Sequence, residues 1–273
     1  VRGARAGARA AAAVECRKAL AQWQYRLVLI VCAVAPFVFV LALRAQSTVP
    51  SDTLFGRLAA ESGLATPLVV LGFAGLWWLP VVAAAAGGDM FASEDRYRTW
   101  ASALTRSRSR AEVFAAKTIV ACAIAVCAVL LLGVSAVAAG ALAVGTQPLI
   151  GLSGALLTPG DALARIAFAW FSVLPPCLAI TAAAIFISVV TRSSVAGVGI
   201  PVFAALVLQL VSLADGPALM RVLVPTTAFE GWHGVFVEPA FYGPLLYGTA
   251  VNLVIAGVLI GLSRRIFLRR DIA

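Results

Sequence analysis

The sequence predicts an all-α membrane protein of six transmembrane helices with both termini inside (N-in/C-in), on three observations. Of its 273 residues, 62% are hydrophobic and only 12% charged, about half the charge of a soluble domain. Six stretches, 27–43, 65–87, 115–143, 163–190, 195–214 and 245–263, are apolar over the roughly 20 residues that a bilayer-crossing helix needs. With the N-terminus inside, 17 of the 21 basic residues fall on the inner side and only Arg44, Arg57, Arg165 and Arg221 outside. Six acids lie on each side, so the inside carries +11 and the outside −2 of the net +9. Such asymmetry sets the orientation of multi-span proteins. It accounts for the basic character without nucleic-acid binding.

The elements follow in order. Over 10–26, Cys16, Leu20, Trp23 and Leu27 recur at i, i+4, i+7 and i+11, with Glu15, Arg17, Lys18 and Gln22 on other faces. This predicts an amphipathic interfacial helix on the inner leaflet. Tyr25 and Arg26 anchor the start of the first span at the interface. The third span is long enough to tilt. Pro175-Pro176 must kink or break the fourth. Between the fifth and sixth spans, 215–244 is too apolar for a plain loop and too interrupted by Pro and Gly to cross. Short re-entrant or interfacial helices on the outer side suit it. The cytosolic loop 89–112 is the longest soluble-looking segment. The five cysteines form no CxxC pair. They read as small buried hydrophobes rather than as disulfides or zinc ligands.

Several chemistries are absent. Ala115–Thr118 ends in Lys-Thr but lacks the glycines of a phosphate-cradling loop, so no cofactor is expected in this chain. Gly151-Leu-Ser-Gly154 resembles the GxSG of intramembrane serine proteases, with His233 later in the chain. Ser153, however, falls in a short outer loop, and a Gly/Ser turn is the plainer reading. No catalytic or metal-binding residues are assigned. His233 beside Trp232 reads as an interfacial polar tip. The spans hold no deep acid or base, which disfavours ion coupling. Their clearest polar groups are Gln209 and Asn252, which line a pathway or bond a neighbouring helix. Gly257 and Gly261 form a GxxxG that permits close helix approach.

In the inner loop, Tyr97, Trp100, Ala101 and Leu104 fall at i, i+3, i+4 and i+7, one apolar stripe if the segment is helical. Glu94 and Arg98 would pair at i, i+4 in the favourable order. The arginines need only a positive-inside loop. The aromatics ask for a membrane or a partner.

Phe91–Lys117, "FASEDRYRTWASALTRSRSRAEVFAAK", resembles the inner-loop signature of type-2 ABC exporter permeases, at Glu94, Thr99, Leu104, Thr105, Arg110 and Lys117. It departs at Ser107-Arg108-Ser109-Arg110, where that family usually carries a Pro. The resemblance implies one permease domain over 1–273, whose inner loop forms a coupling helix seated in a separate ATP-binding subunit. Glu94, Tyr97, Arg98, Thr99, Trp100, Leu104, Thr105, Arg106 and Arg110 would make that interface. ATP and Mg would sit on the partner, and a second permease chain, identical or related, would complete the transporter in a bacterial plasma membrane. Phe73, Trp77, Trp78, Gln209 and Asn252 would line the path of an apolar or amphipathic cargo: a natural product or drug, a lipid or a peptide. The alternatives are a non-ABC multi-span protein, such as an assembly factor or scramblase, and the protease.

Overall fold

The fold is given by a computed structural model that describes residues 2–45, 54–100, 109–213 and 225–270, the side chains of 2–10 and 211–213 excepted. Helices α1 (Arg2–Ala21) and α2 (Trp23–Ala45) meet at a bend at Gln22. The expected Cys16–Leu27 stripe is therefore shared between two helices, Trp23 opening the second. Cys16, Leu20, Trp23 and Leu27 are all exposed, which suits a face turned to lipid. The opposite face of α1 buries Ala11, Glu15 and Ala19. Glu15 is expected on a face other than the apolar stripe, and Tyr25 at the interface. Both turn inward.

The second apolar segment is not one uniform helix. After a 3-10 turn (Gly63–Ala65), α3 (Thr66–Phe73) runs into a π-helical turn, Ala74–Trp78, and then α4 (Leu79–Gly88). Pro80 explains the widening. Its ring would press on the carbonyl of Leu76, four residues earlier. A wider turn just before it makes room, and the Leu79 N–H reaches back to the Ala74 carbonyl.

A short α5 (Ala92–Arg96) follows, then the 34-residue α6 (Arg110–Ala143). Ser109 caps α6, its hydroxyl taking the Glu112 N–H while the Glu112 carboxylate takes the Ser109 N–H. Such a reciprocal cap satisfies two N–H groups that the start of a helix leaves without helical partners. A small hairpin, β1 (Leu149–Ile150) with β2 (Leu156–Leu157), adds the one departure from an all-helical chain among the described residues. Next come α7 (Pro159–Ser172) and α8 (Leu174–Thr191), parted at Val173. Pro175 and Pro176 sit in the first turn of α8, where a missing N–H leaves no helical bond unmade.

α9 (Ser194–Leu213) leads towards two 3-10 helices, Pro225–Phe229 and Gly231–Phe236, and α10 (Gly243–Arg269) closes the chain. The two 3-10 helices pack inward, with Trp232 and Phe236 buried against Phe55. Residues 215–224 of the expected re-entrant region lie outside the described residues.

Five segments are long and apolar enough to cross a membrane: Trp23–Ala45, Gly63–Gly88, Arg110–Ala143, Pro159–Thr191 and Gly243–Arg269. α9 is apolar but shorter over its described side chains. The chain is thus a helical protein with the build of a multi-pass membrane protein.

Close backbone approaches set the packing. At Gly63 an added Cβ would lie 2.2 Å from the Gly140 carbonyl oxygen, and at Gly197 it would lie 2.5 Å from that of Gly88. By contrast, a Cβ added at Gly257 or Gly261 meets nothing within 4 Å. The GxxxG of α10 therefore meets no neighbouring helix among the described residues. Cys32 and Cys177 are buried as expected, but Cys16 and Cys127 are exposed.

Candidate functional site

The ends of α1, α4, α6, α8 and α10 converge on the loop around α5. The loop places three acids, Asp89, Glu94 and Asp95, within seven residues. Each is held by a different part of the chain.

Glu94 is the centre. It is 7% exposed and lies 3.0 Å from the Nζ of Lys117, itself 2% exposed. The same ammonium reaches Glu15 of α1 at 2.9 Å and donates to the Met90 carbonyl at 3.1 Å. Lys18 adds contacts of 2.9 Å to Glu15 and 3.3 Å to Glu94. Two ammonium and two carboxylate groups thus balance, with Lys18 at the solvent edge and the other three buried, where charges out of water require a partner. Burial alone would raise the Glu94 pKa. Lys117, the Thr99 hydroxyl and Lys18 outweigh it and hold the carboxyl down to about 2. For Lys18, burial lowers the pKa, but Glu15 and Glu94 prevail and raise it.

Asp89 accepts from Gln24 Nε2 at 2.9 Å and from Ser194, and sits 3.7 Å from Arg96. Asp95 takes the indole N–H of Trp100 at 3.0 Å and pairs with Arg270 beyond the end of α10. The Arg270 carbonyl in turn accepts from Arg110 at 2.7 Å. Trp100 packs among Phe91, Phe114 and Phe267, with ring centroids 6.5 Å from Phe91 and 5.1 Å from Phe267.

This geometry corrects the expected stripe. α5 ends at Arg96, and Arg98 takes a positive φ of 53°, so Tyr97, Arg98 and Trp100 share no helical face. Trp100 is 4% exposed, a core residue, whereas Tyr97 is 66% exposed. The expected Glu94–Arg98 pair gives way to Glu94–Lys117. A buried ammonium competes better for the carboxylate than an arginine beyond a helix end. Thr99 donates to Glu94 and so belongs to the cluster rather than to an outer face. Arg110 faces the C-terminal segment. Leu104, Thr105 and Arg106 lie outside the described residues.

An open groove of about 770 Å³ runs beside the cluster, lined by Lys18, Gln22, Trp23, Asp89, Arg96 and Tyr97 among others. Trp23 and Tyr97 project there, and the Arg96 guanidinium lies 4.8 Å from the Tyr97 ring centroid. Sequence reasoning missed Glu15, Asp89, Asp95 and Arg270 as parts of one assembly.

The expected pathway residues divide. Phe73, Trp77 and Trp78 line one apolar groove of about 310 Å³ between α2 and the second segment. The Trp78 indole N–H points to Cys32 Sγ at 3.4 Å. Gln209 is half-buried on α9. Asn252 is fully buried and donates to the carbonyls of Pro225, at 3.1 Å, and Gly248, at 2.9 Å. It ties α10 to the 3-10 segment and lines neither groove.

The Ser153 hydroxyl accepts from the Glu238 N–H at 3.1 Å, and among the described residues no hydrogen bond joins it to His233. Nor does any group of three or more His, Cys, Asp or Glu among them lie close enough to hold a metal.

Residues 28–273 match the family described as "Protein of unknown function (DUF2705)". The chain belongs to that family. The match leaves out all of α1 and the first residues of α2, so Glu15, Lys18 and Trp23 are contributed from outside the matched part of this DUF2705 chain. No curated protein matches the chain.

Proposed function

We propose that this chain is the membrane-spanning subunit of a type-2 ABC exporter, six spans with both termini inside, that moves an apolar or amphipathic cargo across a bacterial plasma membrane. One observation carries the reading. The loop between the second and third apolar segments is clamped by buried charge to α1, α6 and α10, and it borders an open groove with two exposed aromatics. A rigid loop at one end of an apolar bundle can transmit the movement of a docked partner to the helices. A solvated loop would absorb it. Exposed aromatics ringed by Arg, Lys and Asp have the make-up of an interface anchor with a polar rim.

The partner is an ATP-binding subunit that carries ATP and Mg, and the basic end of this chain faces it. A second permease chain completes the cargo path. The reading moves the docking residues from Trp100 and Glu94, which hold the loop together, to Tyr97, Trp23 and Arg96, which face outward. The 17-to-4 distribution of basic residues supports the orientation.

The test is co-purification with the ATP-binding subunit and measurement of ATP turnover. Tyr97→Asp and Trp23→Asp are expected to reduce association and stimulated turnover at least about tenfold, the scale of losing one interface anchor. Unchanged association and turnover in both variants would sink the reading.

A further inference from the structure

At the end opposite the ionic cluster, a cavity of about 270 Å³ lies between the α3–π segment and the two 3-10 helices. We propose that it is a binding site for an amphipathic organic cation. The inference rests on the exporter reading and specifies its cargo.

Three observations meet there. First, the walls are aromatic. Phe55, Phe73, Phe229 and Trp232 line the cavity, and Phe55 stacks on Trp232 with ring centroids 6.2 Å apart. The face of an aromatic ring carries negative potential and attracts a cation. Second, Glu230, exposed at the mouth of the same cavity, is its one carboxylate, and among the described residues no ion pair or hydrogen bond engages its side chain. His233 lines the cavity too, but burial lowers the imidazole pKa, against a weaker opposing bond to the Glu230 backbone, and so disfavours a charged ring there. The mouth of the cavity thus presents one carboxylate with no protein partner among the described residues. The nearby Arg165, by contrast, is already taken by Glu238 at 2.9 Å.

Third, the wall is built to leave room. Gly72 and Gly75 face the cavity on either side of the start of the π turn. A Cβ added at Gly72 meets nothing within 4 Å, and one at Gly75 would touch Phe229 at 3.4 Å. π turns recur where helices are shaped around a site. A cationic head beside Glu230 and Trp232, with an apolar body against Phe73 and the exposed Leu54 at the rim, satisfies all three features. An anion would meet the carboxylate, and a neutral chain would gain nothing from it.

The test uses the chain alone in neutral-lipid nanodiscs, so failure of the cavity and failure of ATPase coupling are read separately. Binding of radiolabelled decyltrimethylammonium is measured by equilibrium dialysis against empty discs, with decyl sulfate and decyl maltoside as anionic and uncharged counterparts. Saturable binding of the cation is expected, with none of the sulfate. Glu230→Gln should weaken it about three- to fivefold, the scale of one solvent-exposed charge contact. Gly72→Leu should abolish it while Gly72→Ala retains it, which separates filling the cavity from misfolding. Equal binding of all three amphiphiles overturns the proposal, as does wild-type affinity in both Glu230→Gln and Gly72→Leu.

Discussion

Lys117 and Gly140 hold the two ends of the same helix, α6, by opposite means. Lys117 is fixed by two carboxylates and a carbonyl within 3.1 Å. Gly140 is fixed by having no side chain, since an added Cβ would lie 2.1 Å from the Gly63 carbonyl oxygen. An ionic joint is directional, sensitive to pH and able to come apart in steps. A glycine joint is insensitive to pH and tolerates no change of volume. Of the two ends of α6, the one proposed to meet a partner is held by the first kind, and the far one by the second.

The largest expected effect breaks the ionic joint. Lys117→Met leaves Glu15 and Glu94 facing each other with only the half-exposed Lys18 between them, and should cost about 3–5 kcal/mol, read as a lowered melting temperature in detergent. Adding Glu15→Gln and Glu94→Gln should recover much of the loss, because the uncompensated charge goes with them. No recovery would mean that Lys117 acts by packing alone. Breaking the other joint comes next. Gly140→Val should cost about 1–3 kcal/mol or more through overpacking, with the same loss at pH 4 as at pH 7. A loss that varies with pH would undo the distinction between the two ends.

The pH dependence of the ionic joint is a smaller effect. The carboxyl of Glu94 is lowered from 4.5 to about 2, so the unfolded chain binds more protons than the native one between those values. Its contribution is full above about 4.5 and is lost as pH falls through about 2. Melting temperature should therefore fall on acidification through that window, and Glu94→Gln should flatten the slope. Smallest is the cap of α6: Ser109→Ala should cost about 1 kcal/mol, seen as faster amide exchange confined to the first turn of α6.

Composition and hydropathy revealed the apolar helices, and Pro175-Pro176 marked the break between α7 and α8 before any coordinate was known. The ionic cluster was not legible in the same way. Lys117 pairs across 23 residues with Glu94 and across 102 with Glu15, and Arg270 reaches Asp95 across 175. Pairs so far apart leave no periodic trace, so these acids and bases read as a solvated loop. Trp100 misled for a related reason. Its helical spacing from Tyr97 is real in the sequence, but the positive φ at Arg98 separates the two, and four aromatic rings gather in the core instead. One feature was readable and passed over: Ser109-Arg-Ala-Glu112 is the pattern of a reciprocal helix cap. The π turn carries only the indirect mark of Pro80.

That turn also decides which residues can face the same way. A π turn holds one more residue than an α turn, which offsets everything beyond it by about 100° around the helix axis. Phe73 and Gly72 lie before the offset, and Gly87 and Gly88, which approach α8 and α9, lie after it. A single-residue deletion between them would remove the wide turn and press the Pro80 ring on the turn before it, and it would swing either the aromatic wall away from its cavity or the glycines away from their seam. The second apolar segment therefore cannot be shortened by one residue and keep both ends in place, although its length alone leaves several residues to spare for a bilayer.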